Sequence, residues 1–274
     1  MKTTIHRLAR AIALGAVLFA PVSGGASVVV LGPLVQEYQL QPGREAAGSF
    51  EVYNPEDQPQ EVKIYQTDHF PHADGGVVYG EPGRLPRSNA RWISYTPQRL
   101  VLPAREKVKV NYTVRAPSDV SLRGTYWSVL MVEAVPESSP ESVLGEPSQP
   151  QVAIRQVLRY AIQLITNVGT GGTRALKFSS IRLLQETDKR VLAVEMENTG
   201  EQMLIGRLWT ELYDSGGKLV TRLDGEQKRL YPGASSRFAL ELVGLQEVTY
   251  KALVVVDCGG DDVFGASVKL VLGR

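Results

Sequence analysis

"GTYWSVLMVEAVPE", Gly124 to Glu137, places a glycine before Thr-Tyr-Trp, then a nearly unbroken apolar run, then a proline. "VTYKALVVVDCGG", Val248 to Gly260, has the same shape. The two align without a gap, with Thr125 against Thr249, Tyr126 against Tyr250, Trp127 against Lys251 and Glu133 against Asp257. A segment written twice suggests a structural unit written twice, and two further landmarks precede each copy in the same order. The first is a strand that ends in Asn before an acidic turn, "FEVYNPEDQ" (Phe50 to Gln58) and "VEMENTGEQ" (Val194 to Gln202). The second is an Arg-Leu corner with Pro, followed by an alternating strand: "RLVLPAREKVKV" (Arg99 to Val110) and "RLYPGASSRFAL" (Arg229 to Leu240). Asn tolerates left-handed backbone and Pro presets φ, so both suit turns.

Strand signals dominate the rest of the chain. In "EKVKVNYTVRA", Val108, Val110, Tyr112 and Val114 alternate with polar neighbours, the period-two pattern of a half-buried strand. "RVLAVEMEN" and "SRFALELV" repeat it, and Gly, Pro, Asn and Asp clusters punctuate such runs at short intervals. The fold class read from this is all-β: two tandem immunoglobulin-like sandwiches, residues 27–165 and 174–274, joined by the glycine-containing linker "TNVGTGGT" at 166–173. A Tyr heading a strand after a turn is the tyrosine-corner pattern of such sandwiches. A buried, unpaired hydroxyl costs about 1–3 kcal/mol, so Tyr126 and Tyr250 are each expected to bond back to upstream backbone.

The N-terminus fixes the expected compartment. Lys2, Arg7 and Arg10 precede the short apolar run Ala11 to Val22, with Gly24 and Ala26 as small residues at a cleavage site, so residues 1–26 read as a signal peptide. The expected location is periplasmic, or secreted within the cell envelope, with no membrane insertion after cleavage. The whole chain of 274 residues carries +1, and removing the three positive charges of the signal leaves −2. That balance offers no basic excess for nucleic acid. Apolar content of 43% and charged content of 22% are those of a folded protein. Cys258 is the only cysteine, so no internal disulfide forms and each core must hold by packing alone.

The sequence contains no catalytic constellation and implies no cofactor: no Gly-x-Ser-x-Gly, no phosphate-binding glycine loop, no paired-cysteine metal site and only three histidines. Asp68, His69, His72 and Asp74 crowd within "TDHFPHADGG". Their spacing follows neither a helix nor a strand face, so they read as a solvated polar loop rather than a metal site. A second long connection, Val135 to Gln151, is rich in Pro, Ser and Glu and reads as mobile. It leads into "QVAIRQVLRYAIQLI", Gln151 to Ile165. There Val152, Ile154, Leu158, Tyr160, Ile162 and Leu164 share one face and Arg155, Arg159 and Gln163 the other. This run exceeds the roughly five to six residues usual for a strand. Two readings stay open: an edge with apolar side chains left over for another protein's strand, or a strand that buries its face within its own domain.

"WISYTPQRLVLP" (Trp92 to Pro103), "LRGTYWSVLMVEAVPE" (Leu122 to Glu137) and "QVLRYAIQLI" (Gln156 to Ile165), in that order, resemble the first domain of the periplasmic pilus chaperones, the PapD-like family. The Asn-turn and Gly-Thr-Tyr-Trp landmarks are also similar to extracellular domains of WxL-interacting surface proteins. The pilus-chaperone resemblance implies a non-enzymatic protein that binds a pilus or surface subunit through the last strand of its first domain and delivers it to an outer-membrane usher. Carried over, the donor strand would present Ile154, Leu158, Tyr160 and Ile162, with Arg159 beside them. That family also anchors its subunit's terminal carboxylate with a basic pair. Here "LGPLVQEYQLQPG" (Leu31 to Gly43) has no basic residue and the last-strand position holds Gln163. The alternative function is a structural or adhesive envelope module that binds a surface protein or glycan.

Overall fold

A computed structural model describes residues 28–136, 139, 141–144, 157–186, 189–246 and 248–272. The predicted signal, Ile154 and much of the Val135 to Gln151 connection lie outside these residues. What is described is two β-sandwiches with one short 3-10 turn, Ala90–Trp92, and among the described residues no helix is long and apolar enough to cross a membrane.

In the first sandwich a four-stranded sheet, β1 (Val29–Leu31), β3 (Glu45–Tyr53), β8 (Lys107–Arg115) and β6 (Ile93–Thr96), faces a six-stranded one. The second sheet runs β2 (Val35–Leu40), β10 (Arg159–Val168), β9 (Gly124–Val135), β4 (Gln60–Pro71) and β5 (Val77–Gly80), with β7 (Arg99–Leu102) also paired to β4. The period-two pattern of β8 lands as expected: Val110, Tyr112 and Val114 enter the core and meet Ile64, Leu130, Val132, Ile162 and Leu164 from the opposite sheet. Gly48 in β3 leaves room for a polar pair within that core. A Cβ there would sit 2.3 Å from the Tyr38 hydroxyl and 2.4 Å from the Tyr112 ring, whose two hydroxyls bond at 2.7 Å. Burial and that bond push the Tyr112 hydroxyl pKa far above its usual value.

The second sandwich pairs β11 (Leu176–Gln185), β12 (Arg190–Asn198) and β15 (Ser235–Glu241) against β14 (Leu219–Leu230), β13 (Leu204–Tyr213), β16 (Thr249–Asp257) and β17 (Val263–Val271). Leu192, Val194, Met196, Leu208, Phe238, Val254 and Val256 form its core.

The repeated landmarks do the same job in both units. Asn54 is fully buried; its amide donates to the carbonyls of Gln58, Leu102 and Pro103 at 2.8, 3.1 and 3.0 Å, and its Oδ1 accepts from the Glu56 N–H at 2.9 Å. Asn198, equally buried, donates to Gln202 and Leu230 at 2.8 and 2.7 Å and accepts from Gly200 at 2.9 Å. Each Asn therefore ties its own turn to the Arg-Leu corner found later in the sequence. The tyrosines diverge. The Tyr250 hydroxyl donates back to the Gln246 carbonyl at 3.4 Å, whereas the Tyr126 ring packs on Trp92, with centroids 4.7 Å apart, and lies under the Arg87 guanidinium.

Candidate binding edge and interdomain surface

The two copies differ in kind where the sandwiches meet. Trp127 stands where the second unit has exposed Lys251, and Gly124 stands where it has Val248. Trp127 points out of β9 into a second small apolar cluster with Ile165, Met203, Tyr231 and Ala234, and its indole N–H donates to the His69 carbonyl at 2.7 Å. Gly124 has φ +81, and a Cβ there would fall 2.2 Å from the Glu201 carbonyl oxygen. Only glycine lets the strand approach close enough for the Thr125 N–H to donate to that carbonyl at 2.8 Å. The Thr125 hydroxyl then accepts from the Met203 N–H at 2.8 Å, and the Tyr231 hydroxyl donates to Gln163. The glycine-rich joint is thus flanked by direct contacts between the two units.

The predicted donor strand takes its geometry from its neighbours. On one flank β10 pairs with β9 along its whole length, from Arg159 opposite Glu133 to Val168 opposite Gly124. On the other flank parallel pairing with β2 starts only at Gln163, opposite Val35. The reason lies in the first strand: β1 pairs with β3 in the other sheet, and the chain crosses between sheets at Gly32, with φ +110, and Pro33. The Gln163 N–H donates to the Leu34 carbonyl at 2.8 Å, so by strand alternation the N–H and C=O of Arg159 and Ala161 point to that same flank. Among the described residues no strand lies against them there.

Burial along β10 falls toward this open end. Ile162 is fully buried in the first core and Tyr160 is half-buried against it; Leu158 is 49% exposed. Ile162 therefore serves its own domain. On the outer face Arg159 pairs with Glu133 at 3.0 Å, and Glu133 also accepts the Tyr65 hydroxyl at 2.9 Å, so this guanidinium already has a carboxylate partner within the sheet.

The described part of the connection expected to be mobile is tied down. Glu61 in β4 has a fully buried carboxylate that accepts the Val143 N–H at 2.8 Å and the Arg99 guanidinium, while Lys63 pairs with Glu141 at 2.8 Å. Burial alone would raise the Glu61 pKa. The Val143 N–H and Arg99 outweigh it and hold the carboxyl below the usual range. An alternating strand writes a charged residue at position 61 as solvent-facing; only the returning loop makes it internal.

The segment read as a solvated polar loop is only partly one: Asp68 and His69 lie within β4 and are buried, while His72 and Asp74 sit in the turn that follows, and the four take different roles. The Asp68 carboxylate is filled by the N–H groups of Gly83, Arg84 and Leu85, at 3.0, 2.8 and 2.8 Å, and by the Ser88 hydroxyl. His69 turns toward the second sandwich, 5.8 Å from Tyr231, and His72 packs edge-on to Phe70. Asp74 caps Gly76 at 2.8 Å. Sequence reading missed Asn89, which is fully buried and donates to the Leu164 carbonyl and the Thr166 hydroxyl at 2.9 Å each, securing β10 from below.

No family model matches the chain, and no curated protein matches it. Among solved structures it is similar to a chain of the chaperone–tip adhesin complex of CFA/I fimbriae biogenesis, with 14% identity, 89% of this chain and 98% of that one covered, and a TM-score of 0.47. It is similar to the Class 5 fimbriae chaperone CfaA, with 15% identity, 89% and 99% covered, and a TM-score of 0.45. A third is the CsuC–CsuE chaperone–tip pre-assembly complex of Acinetobacter baumannii, with 13% identity, 89% and 98% covered, and a TM-score of 0.42.

Proposed function

We propose that this protein is an exported, non-enzymatic chaperone-like binder of a pilus or surface subunit, which it holds by strand pairing along the open flank of β10. The observation that carries this reading is the late start of the β2 ladder: Arg159 and Ala161 present backbone donors and acceptors on a flank where no strand lies among the described residues. Unpaired edges invite strand addition, and alternate side-chain positions supply selectivity. Leu158 and Tyr160 are the apolar positions bordering that flank, half-buried to exposed, and Ile162 anchors the strand from within. Ile154, upstream of the described residues, would extend the same face. A partner strand seated there would continue the line of β2 backwards past Leu34.

The test is co-purification from a cell-envelope extract. Leu158→Glu introduces a charge at a half-exposed position, so stability should change by no more than about 0.5 kcal/mol. Capture of the subunit should drop at least tenfold. Capture at the wild-type level by a folded Leu158→Glu protein would count against the edge.

A further inference from the structure

The β4–β5 hairpin of the first sandwich meets the β14-to-β15 connection of the second, which crosses between its two sheets, where the Ala73 N–H donates to the Ser235 hydroxyl at 3.0 Å. Beside that contact is a cavity of about 240 Å³, walled by His69 and His72 from the first unit and by Lys228, Arg229, Ser236 and Arg237 from the second. No carboxylate is among the described residues lining it. Two of its cations are held from outside the cavity: Lys228 pairs with Glu226 at 2.7 Å, and Arg237 with Glu195 at 2.7 Å. Arg229 is exposed, and its side chain makes no ion pair among the described residues; the Ser236 hydroxyl likewise has no protein partner among them. The His69 ring behind them is 6% exposed, and its Nδ1 has no hydrogen-bond partner among the described residues.

We propose that this cavity is a binding site for a compact oxyanion, a phosphate or carboxylate group, bridging the two sandwiches. A cleft lined by one sign of charge with low-dielectric walls concentrates counter-ions. Arg229 supplies a planar, always-charged fork matched to two oxygens of such a group, and the Ser236 hydroxyl a neutral donor. Because the wall residues come from both units, an occupant stabilises the folded arrangement by mass action. This site is separate from the β10 edge, so the fate of either proposal leaves the other standing.

The test uses the purified protein and inorganic phosphate at constant ionic strength, read as thermal unfolding and as heat of titration. Phosphate is expected to raise the unfolding temperature saturably. Arg229→Gln should weaken that binding about tenfold while leaving the unfolding temperature without phosphate unchanged. Arg115→Gln, a similarly exposed arginine on the first sandwich, should titrate as wild type. Acetate separates the sources: saturation by both anions assigns a general oxyanion site, and by phosphate alone a phosphoryl-selective one. No saturable effect of either anion, or an Arg229→Gln protein that titrates like wild type, would overturn the proposal.

Discussion

Ile162→Glu is expected to prevent the first sandwich from folding, although the neighbouring Leu158→Glu is tolerated. Leu158 directly precedes β10 and, by alternation, shares the face of Ile162, so the contrast depends on depth along that face. Ile162 is fully buried among Leu130, Val132 and Leu164 with no cation available to it in the core. An unpaired carboxylate in such a place costs about 5 kcal/mol or more, comparable with the whole stability of a domain. Leu158 is 49% exposed and gives its substituent water. Circular dichroism and thermal unfolding of the two variants check this directly. Equal loss in both would mean that the open end of β10 is internal core as well.

The second large effect should come from the paired asparagines. Asn54→Leu strips partners from three carbonyls and the Glu56 N–H; Asn198→Leu strips them from two carbonyls and the Gly200 N–H. Leucine matches the volume but satisfies none of them. With unsatisfied buried groups costing about 1–3 kcal/mol each and partial relaxation toward water, each substitution should destabilise by about 3 kcal/mol. That corresponds to a fall of roughly 10 °C in unfolding temperature. Denaturant titration of both variants is the measurement. If one were silent while the other unfolded its unit, the two corners would not be equivalent devices.

These asparagines also mark what was legible in the sequence. The Asn turn and the Arg-Leu corner repeat as recognisable strings because each is a local backbone solution that bonds to the other, and the fold class followed from their order. The interface was written in the same strings as two mismatches, Trp127 against Lys251 and Gly124 against Val248, but a mismatch acquires meaning only once the second unit is known to press on the first. The binding edge was harder. Periodicity puts Leu158, Tyr160 and Ile162 on one face without saying which of them the domain keeps. The answer depends on where β2 stops pairing, which Gly32 and Pro33 decide more than a hundred residues earlier. Glu61 was illegible for a similar reason: alternation writes it as surface, and a loop that returns from far along the chain buries it.

The most direct measurement of the central claim removes one backbone donor. By alternation the Ala161 N–H faces the open flank rather than β9, so Ala161→Pro deletes a hydrogen-bond donor that no described residue of the free protein accepts and places a ring where an added strand would lie. Capture of the envelope subunit and amide hydrogen exchange at Arg159 and Ala161 are followed together. Strand pairing on this flank predicts that the wild-type complex protects both amides, and that the Ala161→Pro protein folds with little change in unfolding temperature yet captures no subunit. A complex in which those amides exchange as in the free protein, or one formed equally well by Ala161→Pro, would contradict it.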